Sequence, residues 1–117
     1  MQEWVNGNAR NPPTKGQEKM LSKRYISKGT VCKVSFYLPD EIEARSAFVV
    51  GDFNSWDKEA TPMELLSDGR WKAVINLDAG HEFQYRYLVN GSQWYNDWEA
   101  DKYVAHPYGG ENSVVVT

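Results

Sequence analysis

Three aromatic rings stand within five positions in the segment 92–98, SQWYNDW, where Trp94, Tyr95 and Trp98 are interleaved with Gln93, Asn96 and Asp97. A fully buried strand would not carry so many amide and acid groups, and an exposed strand would not carry two Trp without a use. The segment 49–58, VVGDFNSWDK, is as unusual, because it sets Trp56 at the tip of a polar turn. Turns favour Gly, Asn, Asp and Ser for backbone reasons that Trp does not share. Between the two segments lies Arg86, on an alternating stretch that turns it away from Phe83, Tyr85, Tyr87 and Val89.

Flat rings beside amides, an Arg and carboxylates suit three kinds of chemistry. A pyranose offers an apolar C–H face that stacks on an indole, and a fringe of hydroxyls that Asn, Gln and Arg can bond. A protein interface uses the same types, since Trp, Tyr and Arg are its usual anchors. Glycoside hydrolysis would need two carboxyl groups about 5–10 Å apart, and Asp52, Asp57, Asp97, Glu99 and Asp101 lie near the aromatics. A small sandwich has little depth in which to desolvate an acid and raise its pKa. Carboxylates in turns are more often turn formers, so no catalytic residue is assigned.

Other chemistries lack residues. The single cysteine, Cys32, sits in an apolar alternation and reads as a small buried hydrophobe. His81 and His106 are far from each other and from Cys32, so no zinc spacing arises, and no metal or cofactor is expected. A net charge of −3 argues against nucleic acid and against an anionic membrane surface. No apolar run is long enough to span a membrane, and the N-terminal residues lack the apolar core of a signal peptide, so cytoplasmic residence is expected.

The elements that must hold these residues read as strands. In 117 residues, one domain's length, the alternation of Cys32, Val34, Phe36 and Leu38 is followed by the run 47–50. Trp71, Ala73, Ile75 and Leu77 then alternate, then Phe83 to Val89, with a β-branched finish at 113–116. The stretch 62–66 is a candidate short strand, and 39–46 a connector. Asp68-Gly69 and Asn90-Gly91 both predict type I′ hairpin turns, and 78–81 a third reversal. This pattern predicts an all-β antiparallel sandwich over 23–117. The polar residues 1–22, with Pro12-Pro13, predict a flexible tail.

Taken in order, VVGDFNSWDKEATPM (49–63), the stretch from Asp68-Gly69 to Asp101, and GGENSVVV (109–116) resemble the family 48 carbohydrate-binding modules. These include the early-set domains of isoamylases and branching enzymes and the glycogen-binding domain of a kinase subunit. The likeness covers about 30–117 and is nearest to small free-standing bacterial members. It implies an immunoglobulin-like β-sandwich that binds α-1,4-linked glucan (glycogen, starch or maltodextrin) without catalysing its cleavage, sometimes beside a glucan-metabolising enzyme. In the kinase domain sugar is held by residues that match Trp56, Arg86, Trp94 and Asn112. NGSQW is one residue longer than the family's DGQW, which leaves Trp98 as an alternative to Trp94. Tyr108 stands where that domain has a leucine that passes through a cyclic glucan. Lys of the family pattern is Arg at 86, which keeps the charge and changes the donor geometry. The residue types alone also suit Trp56 as a plug over the sandwich end, Trp94 as a core ring and Asn112 as a turn former. A protein-interaction module without a sugar site is the alternative function.

Overall fold

The computed structural model describes residues 20–117. The first nineteen positions of the expected tail lie outside the described residues, and its last two open a strand.

The strands are β1 (Leu21–Ile26), β2 (Val31–Tyr37), β3 (Ala47–Gly51), β4 (Glu64–Leu65), β5 (Trp71–Asp78), β6 (Glu82–Val89), β7 (Gln93–Tyr95), β8 (Lys102–Ala105) and β9 (Glu111–Val116). They form two antiparallel sheets. One has the order β1-β2-β5-β4. The other has the order β3-β6-β9-β8, with β7 also paired to β6. Since β9 pairs with residues 82–85 of β6 and β7 with residues 87–89, the two share one edge of that strand.

Alternation decides what is buried between the sheets. From β2 come Cys32, Val34 and Phe36, from β5 Ala73 and Leu77, and from β6 Tyr85, Tyr87 and Val89. Trp71, Ile75 and Phe83 pack against this cluster at its margin. These are the positions the period-2 pattern assigns to the interior, so the expected all-β sandwich is present. Tyr85 is a hub, with its ring 5.0 Å from Phe36 and 6.0 Å from Tyr87.

The edge strand β1 is tied across to the other sheet. Lys23 Nζ donates to Asp101 Oδ2 at 2.7 Å and to the Val116 carbonyl at 2.9 Å, while the Tyr25 hydroxyl donates to the Thr117 carbonyl. A lysine aimed across an edge also discourages pairing with another chain.

Two turns differ in kind. Asn90 and Gly91 both have positive φ, 54° and 79°, and the Ser92 N–H donates to the Val89 carbonyl, as a type I′ turn requires, while Val89 pairs with Gln93, so that Ser92 extends the loop. At Asp68-Gly69 only Gly69 is left-handed, so the expected type I′ turn is not formed there. Asp68 instead caps the loop, accepting from the Arg70 N–H at 3.0 Å and from Arg70 Nε at 2.9 Å, while Leu66 and Arg70 close it by a backbone bond.

Candidate functional site

The second sheet has an outer face opposite the core. Register puts Val50 opposite Arg86, Trp94 opposite Leu88, and Val114 opposite Gln84. Gln84, Arg86 and Leu88 alternate on β6, and Asn112 lies two residues before Val114, so all seven residues share this face. Val50, Leu88 and Val114 are nonetheless buried. They lie outside the inter-sheet cluster and form an apolar floor under the polar and aromatic groups.

The loop after β3 crosses toward this floor. It opens with a single 3-10 turn, Asp52–Asn54. Asn54 pins it: Oδ1 accepts the Gly51 N–H at 3.0 Å, and Nδ2 donates to the Val49 carbonyl and to Thr61 Oγ1, both at 2.9 Å. Phe53 turns inward, 5.7 Å from Phe36 and 6.4 Å from Tyr85, and anchors the turn as its apolar character predicts. Ser55 and Trp56 then both adopt left-handed backbone, φ 58° and 57°. For a bulky residue this conformation is costly and persists only where the surrounding structure holds it.

Trp56 is half-buried. Its indole N–H donates to Asp52 Oδ1 at 2.9 Å, and Asp52 Oδ2 accepts the Gln84 backbone N–H at 2.7 Å. The Gln84 side-chain carbonyl in turn accepts from Asn112 Nδ2 at 3.0 Å. One carboxylate thus links the loop tryptophan to the sheet. Two residues on, Lys58 Nζ lies 6.0 Å from the centre of the Trp94 ring. Trp94 is 39% exposed.

Arg86 is fixed rather than free. Its Nε and one terminal nitrogen donate to the Glu111 carbonyl at 3.1 and 2.6 Å. Gly110 passes so close that a Cβ there would stand 3.3 Å from the guanidinium. The same turn carries Tyr108, which is 93% exposed and sits against the His106 ring, 5.7 Å between centres. Asn112 is buried, and its Oδ1 has no hydrogen-bond partner among the described residues.

Trp98 packs against the inter-sheet cluster, apart from the outer face that carries Trp94. Tyr95 does the same, as alternation around Trp94 requires. The loop that carries Trp56 thus reaches the face of Trp94 through Lys58, two residues after Trp56. Arg86 and Asn112 lie on the same face, and Tyr108 stands on the adjoining turn.

The segment between Trp94 and Trp98 is held by Asp97, which is completely buried. Its Oδ2 accepts the Tyr85 hydroxyl at 2.7 Å and the Tyr87 hydroxyl at 3.3 Å, and its Oδ1 accepts the Glu99 N–H at 2.8 Å. Burial pushes its carboxyl up to about 6, with the three hydrogen bonds only partly opposing. Burial and the nearby carboxylate also raise both tyrosines, so they remain protonated donors.

Sequence reasoning did not assign Asp52, Lys58, Val50 or Val114 to this face, and it gave Gln84 and Leu88 no part in the site. Gln84 and Leu88 were readable as outward positions on β6. Val50 and Val114 were not, because each sits in a run of valines that hides which member faces which way.

Among the described residues no helix is long and apolar enough to cross a membrane. Residues 25–109 match the family described as carbohydrate-binding module 48, the isoamylase N-terminal domain. Two curated relatives are 1,4-alpha-glucan branching enzymes GlgB. The one from Synechococcus sp. (strain CC9605) is 35% identical over 75 residues, and the one from strain CC9902 is 36% identical over 75. In both cases the match covers 62% of this chain and 10% of the enzyme, so the chain spans about a tenth of their length. With the family matched across most of the sandwich, the chain belongs to the carbohydrate-binding module 48 family.

Proposed function

We propose that this domain binds α-1,4-linked glucan on the outer face of the β6 sheet and carries no catalytic residues of its own. The observation that carries the reading is that the loop holding Trp56 is bonded through Asp52 to β6 and lays Lys58 beside the half-exposed ring of Trp94 on that sheet's outer face. Two rings can stack on successive glucose units, each stack contributing about 0.5–1.5 kcal/mol beyond its buried area. Arg86 supplies a fixed donor for sugar hydroxyls, and Asn112 stands buried beside it on the same face, bonded to Gln84. A shallow site of this kind corresponds to roughly micromolar to millimolar affinity for short oligosaccharides. Binding to a granule gains from repetition of the ligand. The membership in a carbohydrate-binding family and the likeness to branching enzymes support the ligand class. The test is sedimentation with insoluble starch. The protein is expected in the pellet and to be released by soluble maltoheptaose; protein that stays in the supernatant contradicts the reading.

A second reading, docking onto a glucan-metabolising enzyme, has a surface of its own. Beside the connector 39–46 an open cleft of about 300 Å³ is lined by Leu38, Ile42, Ala44, Leu65 and Trp71. Leu65 is largely exposed there. If Leu65→Ser removes co-purification with a branching enzyme and leaves starch sedimentation unchanged, the two roles are separate.

A further inference from the structure

We propose that Asp97 is a positioning residue for the glucan face: its buried carboxylate fixes the segment that carries Trp94 and Asn96, and its backbone N–H joins that segment through Ser113 to Asn96 and the Arg86 anchor. This rests on the reading of that face as a sugar site.

The connections run through the sheet. The Asp97 backbone N–H donates to Ser113 Oγ at 2.8 Å. Ser113 Oγ donates to Asn96 Oδ1 at 2.9 Å, and the Ser113 N–H donates to the same oxygen at 3.1 Å. Asn96 Nδ2 donates at 2.8 Å to the Glu111 carbonyl, the same oxygen that holds Arg86. The Tyr103 hydroxyl donates to the Asp97 carbonyl at 2.7 Å. Asp97 is therefore tied to β6, β8 and β9 at once, with Asn112 one residue from Ser113.

No cation faces this carboxylate among the described ion pairs. The groups around it are Tyr85 and Tyr87 from β6, Tyr103 from β8 and Glu99 on its own segment, with Asp101 farther along. A buried unpaired charge weakens a fold, and a neutral residue of the same shape would fold more easily. What the carboxylate alone provides is acceptors for two hydroxyls and one N–H with no donor to misplace. Asparagine puts an NH₂ against one of those donors.

The test uses the whole chain. Maltoheptaose affinity and thermal stability are measured from pH 7.5 to 5 for the native protein and for Asp97→Asn. The carboxyl titrates near 6, so the native protein is expected to lose about tenfold in affinity across this range, while its stability relative to Asp97→Asn rises. Asp97→Asn is expected to bind about tenfold more weakly at pH 7.5 and to lack that pH-dependent loss. His81 and His106 are present in both proteins, so any dependence they cause survives in the variant. Equal affinity and equal pH profiles for both proteins overturn the proposal. A sugar-free measurement separates it from the glucan reading. The Trp94 indole N–H resonance, assigned by its loss in Trp94→Phe, should shift with a midpoint near pH 6 in the native protein. If maltoheptaose does not bind at pH 7.5, the sugar site is wrong. A shifting resonance then still supports the role of Asp97 in fixing the segment, and a static one overturns it.

Discussion

The Trp56 indole N–H and the carboxylate of Asp52 meet at 2.9 Å, and the second oxygen of that carboxylate receives the Gln84 amide from β6 at 2.7 Å. A left-handed tryptophan at a loop tip is thus aimed by a bond to the sheet beneath it. Removing Asp52 should free the ring without removing it. For Asp52→Ala a loss of about 1–2 kcal/mol in stability is expected from the two charge-assisted bonds, with a five- to tenfold loss in maltoheptaose affinity. Chemical denaturation and calorimetric titration of the same variant report the two effects.

Arg86 holds one carbonyl with two donors of a planar fork. Lysine has the charge but not the fork. Arg86→Lys is expected to weaken sugar binding about three- to tenfold and leave the strand pairing intact. An affinity equal to the native protein's would show that the sugar contact needs the charge and not the fork.

Gly51 ends β3 against β6, and a Cβ there would stand 2.4 Å from the Gln84 carbonyl oxygen and 2.7 Å from Tyr85 Cβ. Its backbone is extended (φ −170°), so space rather than strain demands glycine. Because backbone must move to make room, Gly51→Ala is expected to cost about 1–3 kcal/mol. The midpoint of urea unfolding measures it.

Asp97 gives stability an inverted pH dependence. Its carboxyl lies at about 6 in the fold against an ordinary 3.8. The folded state therefore holds the proton more tightly, and this group's contribution is fully present below pH 3.8 and lost as pH rises through 6. That span corresponds to about 3 kcal/mol. Asp68, lowered by its bonds to Arg70, acts in the opposite sense and only below pH 3.8. The difference between native protein and Asp97→Asn isolates the one group. Native stability relative to the variant should fall between pH 4 and 7.

The strands were legible because a sheet with one dry face writes a period of two into the sequence. Phe83, Tyr85, Tyr87 and Val89 could only face one way. Trp56, Trp94 and Arg86 stood out as rings and charge in places that the fold does not require, and the family resemblance linked them to sugar. The hairpin at Asp68 was misread because its geometry depends on bonds between Asp68 and Arg70, which a dipeptide rule does not contain. The outer floor of Val50, Leu88 and Val114 was hidden because its burial depends on what crosses over it. Trp98 could not be told from Trp94 by type; only the route of the chain past the buried Asp97 separates them. Asp97 itself read as one of five carboxylates near the aromatics, since nothing local marks the one destined for three buried donors.

The central claim is that Trp56 and Trp94 form one sugar-binding face, and fluorescence titration tests it most directly. Adding maltoheptaose to the native protein should quench tryptophan emission saturably at or below millimolar concentration. Trp56→Ala and Trp94→Ala should each abolish most of that response while unfolding at temperatures close to the native one. A native protein with no saturable response at millimolar sugar, or two folded variants that respond as it does, would contradict the account.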